Sequence, residues 1–527
     1  MDRLGSLSLV LHTHLPFVRH PEHEDFLEER WLFEAITETY LPLLERLERL
    51  ANDRVPFRLT MSFTPTLLAM LSDELLRRRY VRHLERLLEL AEKEIQRTRW
   101  MPPFHRLALF YHHRLTTAKR LYDGYHRDLI QPFRQLADGG HLEPIASCAT
   151  HGFLPLMAEQ PAAVRAQIRI GVQAFERAFG KRPVGFWLPE CGYQPGHDEI
   201  LAQEGVRYFL TDAHGILFGS PRPKYGVYAP AICPSGVAAF GRDLDSSKSV
   251  WSAQEGYPGH PDYREFYRDV GFDLDYEYVR PYLSGDGSRT NTGLKYYRIT
   301  GQTDDKQPYD PDRALERAAE HADDFLFNRE HQLRFLRSIM DRVPNIVSPY
   351  DAELFGHWWF EGPDWLELLI RKAHEHHPEI QLAAPSDYFA AYPVSQPLIP
   401  SMSSWGNGGY HDVWLNGAND WIYRHLHKMA ERMTALAGQR RQPDPLEARA
   451  LNQLARELLL AQSSDWAFIL KTQTHTTYAY RRLHDHLGRF SQLYDAVSQR
   501  RVDGDWLAGL EAKDNLFPFL DYRVYAD

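Results

Sequence analysis

Short apolar runs alternate along this chain with longer stretches in which leucines recur at helical spacing. Leu7–Leu11 (LSLVL), Phe57–Phe63, Glu143–Cys148, Gly185–Leu188, Val206–Thr211 and Val343–Val347 read as strands, and Leu294–Thr300 (LKYYRIT) as a further one. Between them, Trp31–Ala51 places Leu43, Leu44, Leu47, Leu50 and Ala51 on one helical face. Ala162–Phe179 and Asp310–Met340 also read as helices. Strand and helix in alternation predict an α/β fold with a parallel sheet. Two regions break the rhythm. From Ser72 to about Gln135 helical leucines continue among many Arg and Glu, too long for one crossover helix, which predicts a helical insertion at about 72–135. After Pro400 comes a Gly-rich loop, Ser403–Gly417, and then helices at Asp420–Leu436, Pro445–Leu470 and Tyr478–Val497. The expected organisation is a catalytic α/β domain over 1–400 and an all-helical domain over 401–527 whose Trp/Gly loop reaches back to the first.

Composition narrows the function. The chain has 527 residues, 43% hydrophobic and 25% charged, as in globular proteins. Its net charge of -10, from 61 basic and 71 acidic residues, argues against nucleic acid or an anionic membrane as partner and fits a neutral substrate. Cys148, Cys191 and Cys233 are scattered and odd in number, so no disulfide framework is expected. With no run of about 18 apolar residues, a reducing cytoplasm is the expected location.

The chemistry gathers where strands end. His12 and His14 follow the first strand, His151 the third and Glu190 the fourth; Asp212 and His214 follow Val206–Thr211. Asp351 and Glu353 end the strand that begins near Val343, beside His357, Trp358 and Trp359. C-terminal strand tips are where parallel barrels keep their catalytic groups, and a barrel brings distant tips together. Carboxylates beside tryptophans suit a sugar: indoles stack on its C–H faces, and glycosidic bond cleavage needs one nucleophilic carboxylate and one protonated acid. The His12-x-His14 pair fits either zinc ligation or hydrogen bonding. Trp251–Gly271, rich in Tyr, Gly and Pro, reads as a functional loop.

Five stretches in order, HTHLPF (His12–Phe17), ATHGFLP (Ala149–Pro155), WLPECGY (Trp187–Tyr193), PYDAELFGHWWFEGP (Pro349–Pro363) and SSWGNGGY…WLNGANDWIYRHLH (Ser403–His427), resemble the motif regions of glycoside hydrolase family 57. The resemblance spans nearly the whole chain and is greatest to the family's 1,4-α-glucan branching and α-amylase-like members. It implies an incomplete (β/α)7 TIM-like barrel and retaining transfer on an α-glucan such as amylose, amylopectin or glycogen, without metal or organic cofactor. It implies Glu190 as nucleophile and Asp351 as general acid/base. His12, His14, His151, Trp405, Trp414 and Asp465 match positions lining the site, and Arg264, in YREF, a substrate-contacting one. The sequence departs from some branching members at Tyr228–Gly241, where they carry a longer loop with a tyrosine. The first alternative is therefore an α-amylase-like hydrolase on the same carboxylates.

Overall fold

The structure, a computed structural model, describes residues 3–252 and 255–526. Among the described residues nine strands form one sheet: β1 (Gly5–Thr13), β2 (Leu59–Phe63), β3 (Leu142–Ser147), β4 (Gly185–Trp187), β5 (Tyr208–Thr211), β6 (Ala231–Ile232), β7 (Ala238–Gly241), β8 (Asn345–Asp351) and β9 (Ile380–Leu382). Seven of them run parallel in the order β7-β5-β4-β3-β2-β1-β8. β6 adds antiparallel to the edge strand β7, and β9 pairs with the start of β1. The sheet curls into a half-barrel. Its open side is stitched by loops: the Asp243 N–H, just beyond β7, donates to Val347 O of β8 at 2.8 Å.

The strands are buried on both faces, which is why they read as continuous apolar runs. Leu7, Leu9 and Leu11 face the helices, while Val10 faces inward with Ile145, Trp187, Leu210, Phe240 and Val347. Period two then carries His12 from the same inner face to the rim. Helix Pro161–Phe179 packs on β3 so closely that a Cβ on Gly171 would lie 2.1 Å from Ser147 O.

Between β2 and β3 the chain makes four helices, Pro65–Ser72, Glu74–Arg97, Pro102–Gly124 and Ile130–Asp138. Asp73 caps the second by accepting from the Leu76 N–H. The stretch Tyr257–Tyr309 lies against these helices: Tyr278 and Tyr296 both donate to the buried Glu94. Within it, Leu294–Thr300 makes only isolated bridges, not the expected strand. Leu294 and Tyr296 are nonetheless buried, Tyr296 against Glu94 of the insertion, and that burial gives the stretch its strand-like look. The expected functional loop Trp251–Gly271 includes Ala253 and Gln254, which lie outside the described residues.

Two other boundaries moved. The strand expected at Val343–Val347 is Asn345–Asp351, so the acid is the last residue of the strand itself. The expected helix Pro445–Leu470 is two, Pro445–Ala461 and Ser464–Thr472, broken where Ser463 turns extended. That break places Asp465 in the first turn of a helix. Helix Thr476–Ser498 packs against both pieces.

Candidate active site

β4 ends in a Pro189–Cys191 turn that holds Glu190 at φ 62°, ψ 21°, a left-handed conformation uncommon outside glycine. Two donors from the C-terminal region grip its carboxylate: Trp405 Nε1 donates to Oε2 at 2.8 Å and Ser464 Oγ to Oε1 at 2.9 Å. The Trp405 N–H also donates to the Glu190 carbonyl at 2.9 Å. Burial pushes the Glu190 pKa up, against the pull of these hydrogen bonds.

Asp351 ends β8, in register opposite His12. Burial pushes its pKa well up, and the charges of Glu353 and Glu190 push it the same way. Among the described residues no hydrogen-bond donor reaches its carboxyl group. Glu353 is fixed beside it, accepting from Tyr40 OH and from the His14 N–H at 3.2 Å. One carboxylate is thus held by donors that favour its charge, while its neighbour is left among acids that favour its proton. Both carboxyls are raised, Asp351 the further, and only Glu190 has hydrogen bonds that oppose the rise.

The three histidines account for all six ring nitrogens without a cation. His12 Nδ1 meets Ser62 Oγ, and its Nε2 meets His151 Nε2 at 2.9 Å. His151 Nδ1 meets Ser464 Oγ at 2.8 Å. His14 Nδ1 meets Thr64 Oγ1 at 3.2 Å, and its Nε2 lies 3.0 Å from Asp465 Oδ2. One tautomer choice satisfies every atom: Ser62 donates to His12, His12 to His151, His151 to Ser464 and Ser464 to Glu190. Burial, with neighbouring histidines, drives the His12 and His151 pKa values down, so both rings are neutral. His14 moves up despite burial because Asp465 outweighs it, and Asp465 falls to about 2 despite burial because His14 faces it. His12 stacks on Trp187 at 4.4 Å, and Trp187 stands edge-on to Trp405 at 5.0 Å.

The structure gathers Glu190, Asp351, His12, His14, His151, Trp405 and Asp465. It places two expected residues elsewhere. Trp414 is 1% exposed and stacks on Phe153 at 4.4 Å, anchoring the Gly-rich loop from behind. Arg264 is buried under the loop after β8: its Cζ lies 4.0 Å over the Phe360 ring, and its Nη1 lies 3.9 Å from Glu38. Its guanidinium supports that loop from below. The short Tyr228–Gly241 segment is the β6–β7 hairpin, whose turn precedes β7 and so lies at the end of the sheet opposite the carboxylates. The residues that follow β7 are the ones near the site: Arg242 lies 5.9 Å from the Trp405 ring, and Trp251 stands edge-on to it at 6.1 Å.

Ser464, Ser62 and the Tyr40–Glu353 contact were beyond sequence reasoning. Serines beside a motif acid carry no pattern of their own, and only the helix break at Ser463 turns Ser464 inward.

A parallel half-barrel with a carboxylate pair at its strand tips and tryptophans around them defines a carbohydrate-active enzyme. The family model described as glycosyl hydrolase family 57 matches residues 8–398, and one described as 1,4-alpha-glucan branching enzyme, C-terminal, matches residues 425–525. The chain belongs to glycosyl hydrolase family 57. It is 34% identical to a 1,4-alpha-glucan branching enzyme of Thermococcus kodakarensis, over 97% of this chain and 77% of that one. The crystal structure of an alpha-amylase from Thermotoga maritima superposes with TM-score 0.93 at 47% identity, covering 100% of this chain and 99% of that one. A branching enzyme of the family from Pyrococcus horikoshii superposes with TM-score 0.89 at 33% identity, covering 99% and 97%. Among the described residues no helix is long and apolar enough to cross a membrane.

Proposed function

We propose that this protein is a 1,4-α-glucan branching enzyme that works by retaining transfer. Asp351 gives its proton to the glycosidic oxygen as Glu190 attacks the anomeric carbon, and the downstream chain leaves with a new 4-hydroxyl. The upstream chain remains as a glycosyl ester on Glu190. Asp351, now a carboxylate, takes the proton from a 6-hydroxyl of an acceptor glucan, which displaces Glu190 and forms the α-1,6 branch. One observation carries this reading: Glu190 is gripped by Trp405 and Ser464, whereas among the described residues no donor reaches Asp351, and burial with the charges of Glu353 and Glu190 outweighs that of Arg242. Neutral His12 and His151 and the Trp405 face supply hydroxyl partners and a stacking wall.

The match of residues 425–525 to a branching-enzyme C-terminal model supports branching, as does the contribution of Ser464 and Asp465 to the site from that same region. We divide the chain into a catalytic barrel of 1–400 and a helical domain of 401–527 that completes its site. Three free, buried cysteines support a reducing cytoplasm as its location.

The 47% identity to the alpha-amylase of Thermotoga maritima favours a second reading, hydrolysis on the same carboxylates. Incubation with amylose separates the two. Branching gives many chains releasable by a debranching enzyme and few new reducing ends. Hydrolysis gives reducing ends without branches, and that result rejects the proposal. Glu190→Gln abolishes both products.

A further inference from the structure

A second cavity, of about 290 Å³, lies behind the loop that follows β8. Its walls are the helical turns after Glu29, the insertion helices Glu74–Arg97 and Pro102–Gly124, and the stretch Asn291–Leu294. Its floor includes Phe360 and Glu38, and it reaches solvent beside Arg49 and His113. The size lies at the lower edge of small-ligand sites, room for one or two sugar rings.

Two charged residues on its wall are unusual in being idle. Among the described residues no hydrogen bond or ion pair reaches Glu34 or Arg114. Arg114 instead lies with its Cζ 4.2 Å over Phe360, on which Arg264 also sits at 4.0 Å. The other cations are engaged: Arg46 with Glu45 and Asp364, Arg49 with Glu367. The idle charges are thus one acid and one base, which disfavours a phosphate or a carboxylate ligand and favours a neutral one rich in hydroxyls. Leu41, Pro42, Leu87, Leu115 and Phe360 supply the apolar surface that sugar C–H faces need.

The wall is also distorted where it meets the active site. Ile36–Tyr40 is a π-helical turn, a feature that costs stability and recurs at functional positions. It turns Glu38 to His357, at 2.7 Å, and Tyr40 to Glu353. Both partners, the donor His357 and the acceptor Glu353, sit on the loop that follows Asp351.

We propose that this cavity is a second carbohydrate site, which binds a maltosyl unit of an α-glucan through Glu34, His83 and Arg114. The inference rests on the α-glucan reading of the active site. Burial lifts the Glu34 carboxyl to about 7, aided by Glu38, so near neutrality it both donates and accepts; buried His83 is neutral and does the same. A chain held there lies against the loop that follows Asp351, and its occupancy is felt through the Glu38–His357 and Tyr40–Glu353 contacts.

Equilibrium dialysis with radiolabelled maltotriose tests this on the full chain carrying Glu190→Gln, which turns nothing over. The expected result is two molecules bound per chain. Adding Arg114→Ala reduces this to one, and adding the nearly isosteric Glu34→Gln weakens the same site at least fivefold. One bound molecule, indifferent to both changes, overturns the second site and leaves the active-site reading intact. No bound molecule in any variant overturns the α-glucan reading as well. If Arg114→Ala alters the far-UV circular dichroism, Glu34→Gln alone decides.

Discussion

Replacing Asp465 with asparagine removes the partner of His14 while keeping the shape of the side chain. The His14–Asp465 pair, at 3.0 Å, ties β1 to the first turn of a C-terminal helix, and Asp465 is 18% exposed. The pair pulls Asp465 from 3.8 to about 2. At about 1.4 kcal/mol per unit this is about 2.5 kcal/mol of stability. Unfolding entropy of about 2.1 cal/mol/K per residue gives roughly 1.1 kcal/mol/K for a chain of this length, so the loss lowers Tm by about 2 °C. The sign follows from both partners. A depressed carboxyl contributes above its ordinary 3.8, and the contribution is lost as pH falls through about 2. His14 is raised, so its share of the same attraction is complete below 6.5 and lost as pH rises through its folded value. The gap between wild type and Asp465→Asn is therefore widest between pH 3.8 and 6.5 and narrows as pH rises through the folded value of His14. Differential scanning calorimetry at one scan rate measures it. A gap of equal size at pH 5.5 and pH 10 refutes the ion pair as its source.

Other expectations follow from the same geometry. Glu353→Gln removes the charge that raises Asp351 most, so the alkaline limb of kcat/KM moves to lower pH; an unmoved limb denies Glu353 that role. Trp414→Ala empties a buried, stacked site and costs about 3–5 kcal/mol, read as a fall in Tm, whereas Trp405→Phe, which keeps the partly exposed ring but loses the Glu190 contact, lowers kcat with little change in Tm. Gly356 has φ 107°, and a Cβ there would lie 1.8 Å from Glu38 O, so Gly356→Ala displaces the loop after β8; activity falls at least tenfold and the crystal structure shows His357 parted from Glu38.

Much of the site was legible because strand tips announce themselves. An apolar run that stops in a polar residue, as Leu11 before His12 or Leu188 before Pro189 and Glu190, needs no tertiary information to be read as a parallel strand with chemistry at its end. The motif order then paired Glu190 with Asp351. What the residues could not reveal was burial. Trp414 and Arg264 are residue types that contact sugars in the open, yet packing against Phe153 and Phe360 decides that they support loops. Ser464 was hidden for a different reason. No Gly or Pro marks the break at Ser463, so the leucine periodicity of Pro445–Ala461 seemed to run on into the next helix. The place of Tyr228–Gly241 was not legible because strand direction, and so which end of the barrel its turn occupies, is set only by pairing with β5.

The measurement that tests the carboxylate assignment most directly is peptide mass spectrometry of an Asp351→Ala variant after brief reaction with α-maltosyl fluoride. The fluoride needs no acid to depart, and the missing base leaves the covalent intermediate standing. The account predicts one added maltosyl group on the peptide carrying Glu190, released as the α-configured azide when azide is supplied. A maltosyl group on any other carboxylate, or a β-configured azide without a labelled peptide, contradicts it.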